Sequence, residues 1–139
     1  MDATSAVTRR MLEEFETFAV VGLSADPTKA AHSVPAAMQA YGWRVIPVNP
    51  HADQLLGEQV YRRLADIPDP IEVVNVFRPS AEAADIARQA VEVGAKALWL
   101  QLDIRSVEAR RIATEAGLLY VEDRCVAVER ARHAIRRAA

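Results

Sequence analysis

Short apolar runs alternate with helical stretches along almost the whole chain, and this alternation constrains the fold more than any other feature. The first run, Phe18-Ala19-Val20-Val21, is uninterrupted and closed by Gly22. A strand that is apolar at every position is one buried on both faces, as in parallel sheets covered by helices. Four more runs follow, at Trp43 to Val48, Glu72 to Phe77, Ala97 to Leu100 and Leu118 to Val121. Pro47, inside the second, is unusual for a central strand because it cannot donate to a ladder. Between the runs lie helical patterns. Val7, Met11, Leu12 and Phe15 share one face of a stretch from about Thr4 to Glu16, with Thr4 or Ser5 placed to cap it. Ser33 to Tyr41 is stopped by Gly42, and Ser80 can cap a helix whose Ala83, Ile86, Ala87, Ala90 and Val91 share a face before Gly94. Val107 to Ala116 ends at Gly117, and an arginine-rich helix runs from Val126 to Arg137. Strands joined by helices require right-handed crossovers, hence a parallel sheet with helices on both faces. The expected fold is α/β, a three-layer doubly wound parallel sheet of Rossmann-like type. It has about five strands, in the expected order 3-2-1-4-5.

No repeat, linker or low-complexity segment breaks the pattern, so a single domain over residues 1–139 is expected, with its core from about 15 to 132. That length suffices for one core, and 51% apolar with 26% charged residues is an ordinary globular balance. A formal net charge of −2 gives no electrostatic case for nucleic acid or an anionic membrane as partner. There is one cysteine, no 18-residue apolar run and no secretion-type start, which together point to a cytoplasmic protein.

Open parallel sheets bind ligands outside the carboxyl ends of their strands. Those ends here carry Gly22, Leu23 and Ser24, with Lys29, His32 and Ser33 further on, then Asn49, Pro50 and His51. The later strands are followed by Arg78 and Pro79, by Gln101 and Asp103, and by Asp123, Arg124 and Cys125. Gly22 lets the backbone turn tightly and a phosphate approach closely. Ser33 can cap the next helix, whose start offers free N–H groups to an anion, and Lys29 adds a positive charge. The dinucleotide pattern G-x-G-x-x-G is absent, since the glycine after Gly22 is Gly42. Where NAD-type folds place a carboxylate for the ribose, this chain has Asn49-Pro50, with Asp53 four residues past Asn49. A neutral Asn near Lys29 and His51 suits a phosphorylated ribose. Coenzyme A, with its 3′-phosphate, and NADP, with its 2′-phosphate, both meet that condition.

The blocks Val20-Val21-Gly22-Leu23-Ser24, Pro47-Val48-Asn49-Pro50, Val76-Phe77-Arg78-Pro79, Gly94-Ala95-Lys96 with Trp99-Leu100-Gln101, and Asp123-Arg124-Cys125 occur in that order. In these blocks the chain resembles the small stand-alone CoA-binding proteins, over about Phe15 to Arg132. That family is similar in fold to the CoA-binding domain of the succinyl-CoA synthetase α subunit. The resemblance implies a Rossmann-like domain that binds CoA or acyl-CoA, with no reaction established for the stand-alone members. It further implies that Gly22, Ser24 and Lys29 form the phosphate loop, that Asn49-Pro50 lie on the adenosine side, and that Phe77, Arg78 and Gln101 line the cleft. Leu102-Asp103 depart from the family, which often has a small residue and glycine there.

Catalysis has no visible apparatus. His32, His51 and His133 lie outside any phosphohistidine loop, no Ser-His-Asp or paired-carboxylate spacing occurs, and the His and Cys residues lack metal-ligand spacing. A non-catalytic CoA-binding protein is expected, with an NADP-linked oxidoreductase or redox sensor as the alternative; the sequence names no protein partner. Cys125, at the start of the last helix beside Arg124, is either a packing residue or a thiolate within reach of a ligand. The C-terminal arginines complement a helix dipole.

Overall fold

The computed structural model describes residues 2–137; Met1 and residues 138–139, part of the expected domain span, lie outside the described residues. Five helices and five long strands alternate except between the second and third long strands, where an irregular stretch takes the place of a helix. They are α1 (Ala3–Glu14), β1 (Thr17–Val21), α2 (Ala30–Ala40), β2 (Arg44–Val48), β5 (Val73–Val76), α3 (Ser80–Glu92), β6 (Ala97–Leu100), α4 (Val107–Glu115), β7 (Leu119–Val121) and α5 (Val126–His133). A two-residue hairpin, β3 (Gln54–Leu55) with β4 (Glu58–Gln59), and a 3₁₀ turn at Leu64–Asp66 fill the irregular stretch between β2 and β5.

The main sheet is parallel throughout, with β1 central to β2 and β5. Its order, β2-β1-β5-β6-β7, corrects the expected 3-2-1-4-5. The third long strand, β5, does not extend the sheet beyond β2; it pairs with β1, from Phe18↔Val73 to Val21↔Val76. Pro47 supplies the physical reason. Its carbonyl points outward to accept the Tyr61 N–H at 3.0 Å, and a residue in a strand directs its missing N–H to the same side. A full strand there would find no donor, so β2 must be an edge. The single bridge at Val48↔Tyr61 covers that edge instead.

Two apolar layers enclose the sheet. On one face Met11 and Leu12 of α1, Met38 of α2 and Val126 of α5 meet Phe18, Val20, Val73 and Trp99. On the other, Ala83, Ile86, Ala87 and Ala90 of α3 and Ala109 and Ala113 of α4 meet Ala19, Val74, Leu98 and Leu100. Because α2 and α3 cover opposite faces and follow adjacent strands, the topological switch point lies between β1 and β5. A crevice at the carboxyl ends of those strands is the geometric result.

Three helix starts differ from expectation. Asp2, not Thr4 or Ser5, caps α1, its carboxylate accepting the Ser5 N–H at 2.7 Å. Ser80 opens α3 without capping it, since its hydroxyl accepts the Arg105 N–H at 3.0 Å. Ser33 lies inside α2, which starts one turn earlier, after Lys29. At the other end of the chain α5 stops at His133, short of Arg137, with Ala134 in the left-handed region at φ 54°. Arginines within α5 and beyond it fasten this end of the chain to Tyr41. Arg137 donates its N–H to the Tyr41 carbonyl at 3.0 Å, and the Arg130 guanidinium lies 3.7 Å from the centre of the Tyr41 ring.

Candidate functional site

The crevice at the switch point is a cleft of about 870 Å³. The loop after β1 forms its mouth, Val21 and Val48 its floor, residues 49–51 and 62–64 one wall, and α3 the other.

The loop after β1 is fixed by its own backbone. Gly22 sits at φ +91°, and a Cβ there would come within 3.1 Å of the Phe77 carbonyl and 2.8 Å of Arg78 Cδ. Only glycine lets β1 and β5 exit so close together. Leu23 buries its side chain completely in the core and gives the cleft its backbone. Ser24 is held at both ends. Pro35, inside α2, has no N–H for the Ala31 carbonyl four residues back, and that carbonyl accepts the Ser24 N–H at 3.0 Å. The Ser24 carbonyl in turn accepts from His32 Nδ1 at 2.7 Å. His32 is therefore a fastener of the loop and not one of the residues lining the cleft, and neither is Ser33. Asp26 closes the turn, accepting the N–H and hydroxyl of Thr28, which hold its carboxyl below the usual carboxylate range.

On the β2 side, Asn49 and Pro50 line the cleft, but the Asn49 amide is occupied. Its Nδ2 donates to the Leu23 carbonyl at 2.9 Å, and its Oδ1 accepts the N–H groups of His51 and Ala52. It thus ties the exits of β1 and β2 together. Arg62, which sequence reasoning missed, braces the same turn through the carbonyls of Asn49 and Ala52 and through Asp53 at 2.9 Å. Arg63 was missed as well. Among the described residues neither Arg63 nor Lys29 takes part in any ion pair, and both line the cleft with His51. The two cations border the cleft from different segments, Lys29 from the end of the loop after β1 and Arg63 from the stretch beyond β2.

The α3 side has the opposite sign. Phe77 and Arg78 line the cleft, but Arg78 donates twice to Glu82, at 3.1 and 2.8 Å, so its charge is neutralised one turn away. Glu82, Asp85 and Gln89, at helical spacing along the flank of α3, complete that wall; none was foreseen. Only a helix already known to border a cleft would have drawn attention to its polar flank.

Gln101 and Cys125 stand outside the cleft. Gln101 is 4% exposed; its Oε1 accepts from Asn75 Nδ2 at 3.2 Å and from the Val126 N–H at 3.0 Å. It caps α5 from a neighbouring strand. Cys125 precedes α5, after the edge strand β7, three places along the sheet from β1. The departure at Leu102-Asp103 has its own fixture. Asp103 adopts φ 69°, the glycine-favouring region, and its N–H donates to Asp123 Oδ1 at 2.7 Å. The charge of Arg105 lies on the other Asp123 oxygen.

An open, doubly wound parallel sheet with a polar cleft at its switch point defines a class of small-ligand-binding α/β proteins. Within that class, this chain belongs to the CoA-binding domain family, whose pattern it matches over residues 16–131. It is 36% identical over 128 residues to the uncharacterized protein YneT of Bacillus subtilis (strain 168), covering 92% of this chain and 95% of that one. A hypothetical protein from Pyrococcus horikoshii OT3 superposes with a TM-score of 0.89 at 36% identity, over 93% of this chain and 91% of that one. The dinucleotide-forming acetyl-coenzyme A synthetase 1 of Ca. Korarchaeum cryptofilum is similar at a TM-score of 0.67 and 28% identity. That match covers 76% of this chain and 25% of the synthetase. No helix among the described residues is long and apolar enough to cross a membrane.

Proposed function

We propose that this protein binds coenzyme A or an acyl-CoA in the switch-point cleft and carries out no chemistry on it. One observation carries the reading: Lys29 and Arg63, cations without internal partners, flank the Gly22 loop and the start of α2 in a chain of the CoA-binding family. A helix start presents free N–H groups and the positive end of a dipole, which suits a diphosphate. Two further cations on the same side suit a second phosphate, the 3′-group that distinguishes coenzyme A from its dephosphorylated form. The cleft volume lies within the roughly 300–1,000 Å³ of small-molecule sites. The family match gives the NADP-linked alternative no support. The redistribution of roles matters for testing. Asn49, His32, Gln101 and Arg78 are tied into the fold, so the ligand-facing charges are Lys29 and Arg63.

Thermal denaturation with coenzyme A, dephospho-CoA and NADP tests the reading, because a ligand that binds only the native state raises the melting temperature by mass action. Coenzyme A is expected to give the largest shift. Lys29→Ala and Arg63→Ala should each weaken coenzyme A by about 1–3 kcal/mol, the scale of a lost hydrogen bond to a charged group. The variant that loses less for dephospho-CoA marks the cation at the 3′-phosphate. A wild type unmoved by millimolar coenzyme A, or moved further by NADP, refutes the proposal.

A further inference from the structure

We propose that the α3 wall reads the base of the bound nucleotide, Asp85 selecting a 6-amino purine over a 6-keto one; this rests on the coenzyme A reading above. The sign of charge divides the cleft. Lys29, His51 and Arg63 come from the loop after β1 and from the segment beyond β2, whereas α3 contributes Glu82 and Asp85. Phosphates are repelled by the acidic wall and drawn to the basic one, so α3 faces a part of the ligand that carries no negative charge. Apolar side chains of Val21, Val48, Leu64 and Ile86 line the space between, which suits the face of a flat ring.

Sugar stereochemistry decides which part that is. In a ribose 3′-phosphate the base leaves C1′ and the phosphate leaves C3′, at opposite corners of the five-membered ring. A 3′-phosphate held by the basic side therefore directs the base across the cleft towards α3. The pantetheine arm departs from the diphosphate at the Gly22 loop and runs elsewhere.

The hydrogen-bond inventory of the cleft-lining α3 residues leaves one charged acceptor for the edge of that base, beside the neutral Oε1 of Gln89. Both Glu82 oxygens accept from Arg78. Asp85 Oδ2 accepts from Gln89 Nε2 at 2.8 Å, which orients the carboxylate, while Oδ1 has no partner among the described residues. An acceptor of full negative charge complements the 6-amino group of adenine. It repels the 6-oxygen of hypoxanthine or guanine, which brings a second acceptor where a donor is required.

The probes are adenosine 3′,5′-bisphosphate and inosine 3′,5′-bisphosphate, titrated calorimetrically into the full chain beside coenzyme A. The wild type should prefer the adenosine compound by about tenfold, the scale of one hydrogen bond to a charged group. Asp85→Asn, at an exposed helix position where folding is not at stake, offers an amide that serves either base. It should bring the two ligands to within about threefold of each other. Equal affinity of the wild type for both nucleotides overturns the base assignment and leaves coenzyme A binding intact. Discrimination that survives in Asp85→Asn removes Asp85 from the role. Failure of the wild type to bind coenzyme A or either bisphosphate overturns the proposal from beneath, a result distinct from the other two.

Discussion

Among the described residues Glu129 is the one carboxylate enclosed in the core, its side chain only 2% exposed, and Thr8 is what makes that burial tolerable. The Thr8 hydroxyl lies 3.0 Å from Glu129 Oε1 and 3.0 Å from His133 Nε2, so α1 and α5 meet through it. A hydroxyl has one proton. It has two acceptors at 3.0 Å, the Ser5 carbonyl and Glu129 Oε1; directed at the carboxylate, it makes a charge-assisted bond, and His133 can donate to its lone pair. The remaining Glu129 oxygen receives Arg132 at 3.3 Å, from a side chain that is itself 59% exposed. Thr8→Val preserves shape and removes only the polar group, leaving Oε1 with no donor on α1. A hydrogen bond to a charged group is worth about 1.5–3 kcal/mol, and the desolvated oxygen left behind keeps the cost near the upper end. At an m-value of about 2 kcal/mol per molar urea, the midpoint should fall by about 1 M. Glu129→Gln in the same background removes the charge that Thr8 serves, so the double variant should lose less than the sum of the single ones, with a coupling of at least about 1 kcal/mol. A Thr8→Val midpoint within 0.2 M of wild type, roughly the noise of the extrapolation, or strict additivity in the cycle, refutes the reasoning.

Two further outcomes follow from the charges around the cleft and its rim. Glu82→Gln should change stability by no more than about 1 kcal/mol, because the pair it breaks with Arg78 is half exposed, yet it should tighten coenzyme A several-fold by freeing a cation and deleting an anion; calorimetric titration reads both the sign and the size. Asp123 has its carboxyl held below the usual carboxylate range, first by the Asp103 N–H and then by Arg105. A depressed folded-state pKa stabilises above the unfolded value of about 3.9 and ceases to do so as pH falls through the folded one. Asp123→Asn should therefore melt below wild type at pH 7, and the gap should close towards pH 3; an unchanged gap across that range counts against the Asp123–Asp103 tether.

The fold was legible because burial on both faces leaves a mark that does not depend on context. A run such as Val73-Val74 or Leu98-Trp99-Leu100 has few other places to go, and glycines at 42, 94 and 117 closed the helices where expected. Strand order was less legible because it is set by what lies beyond a strand, not within it. The sign was nevertheless present. Pro47 marked β2 as an edge, and giving that proline its full weight would have put β5 beside β1. Helix caps failed for a related reason. Ser33, Ser80 and Thr4 are all residues that cap helices, but the choice among neighbouring candidates turns on backbone angles fixed by tertiary contacts.

The place of the candidate cleft, at the strand ends, was legible; the roles of its residues were not, and His32, Ser33, Gln101 and Cys125 lie outside it. A polar residue at a strand end is either turned to a ligand or turned to the fold, and composition alone does not distinguish the two. Asn49 is bonded three times within the chain, Gln101 twice, and His32 once, to the Ser24 carbonyl. Each is a polar side chain closing a gap that the parallel sheet leaves at its carboxyl edge, where backbone groups run out of ladder partners. Charge follows the same logic. Arg78 lines the cleft but is held by Glu82, four residues on, whereas Arg63, which drew no notice in the sequence, lines the cleft with no ion pair among the described residues. What separates a binding cation from a structural one is the absence of an internal counter-charge. Among the described lysines and arginines that line the cleft, Arg62 and Arg78 are paired and Lys29 and Arg63 are not; the latter two come from different crossovers and share only the cleft between them.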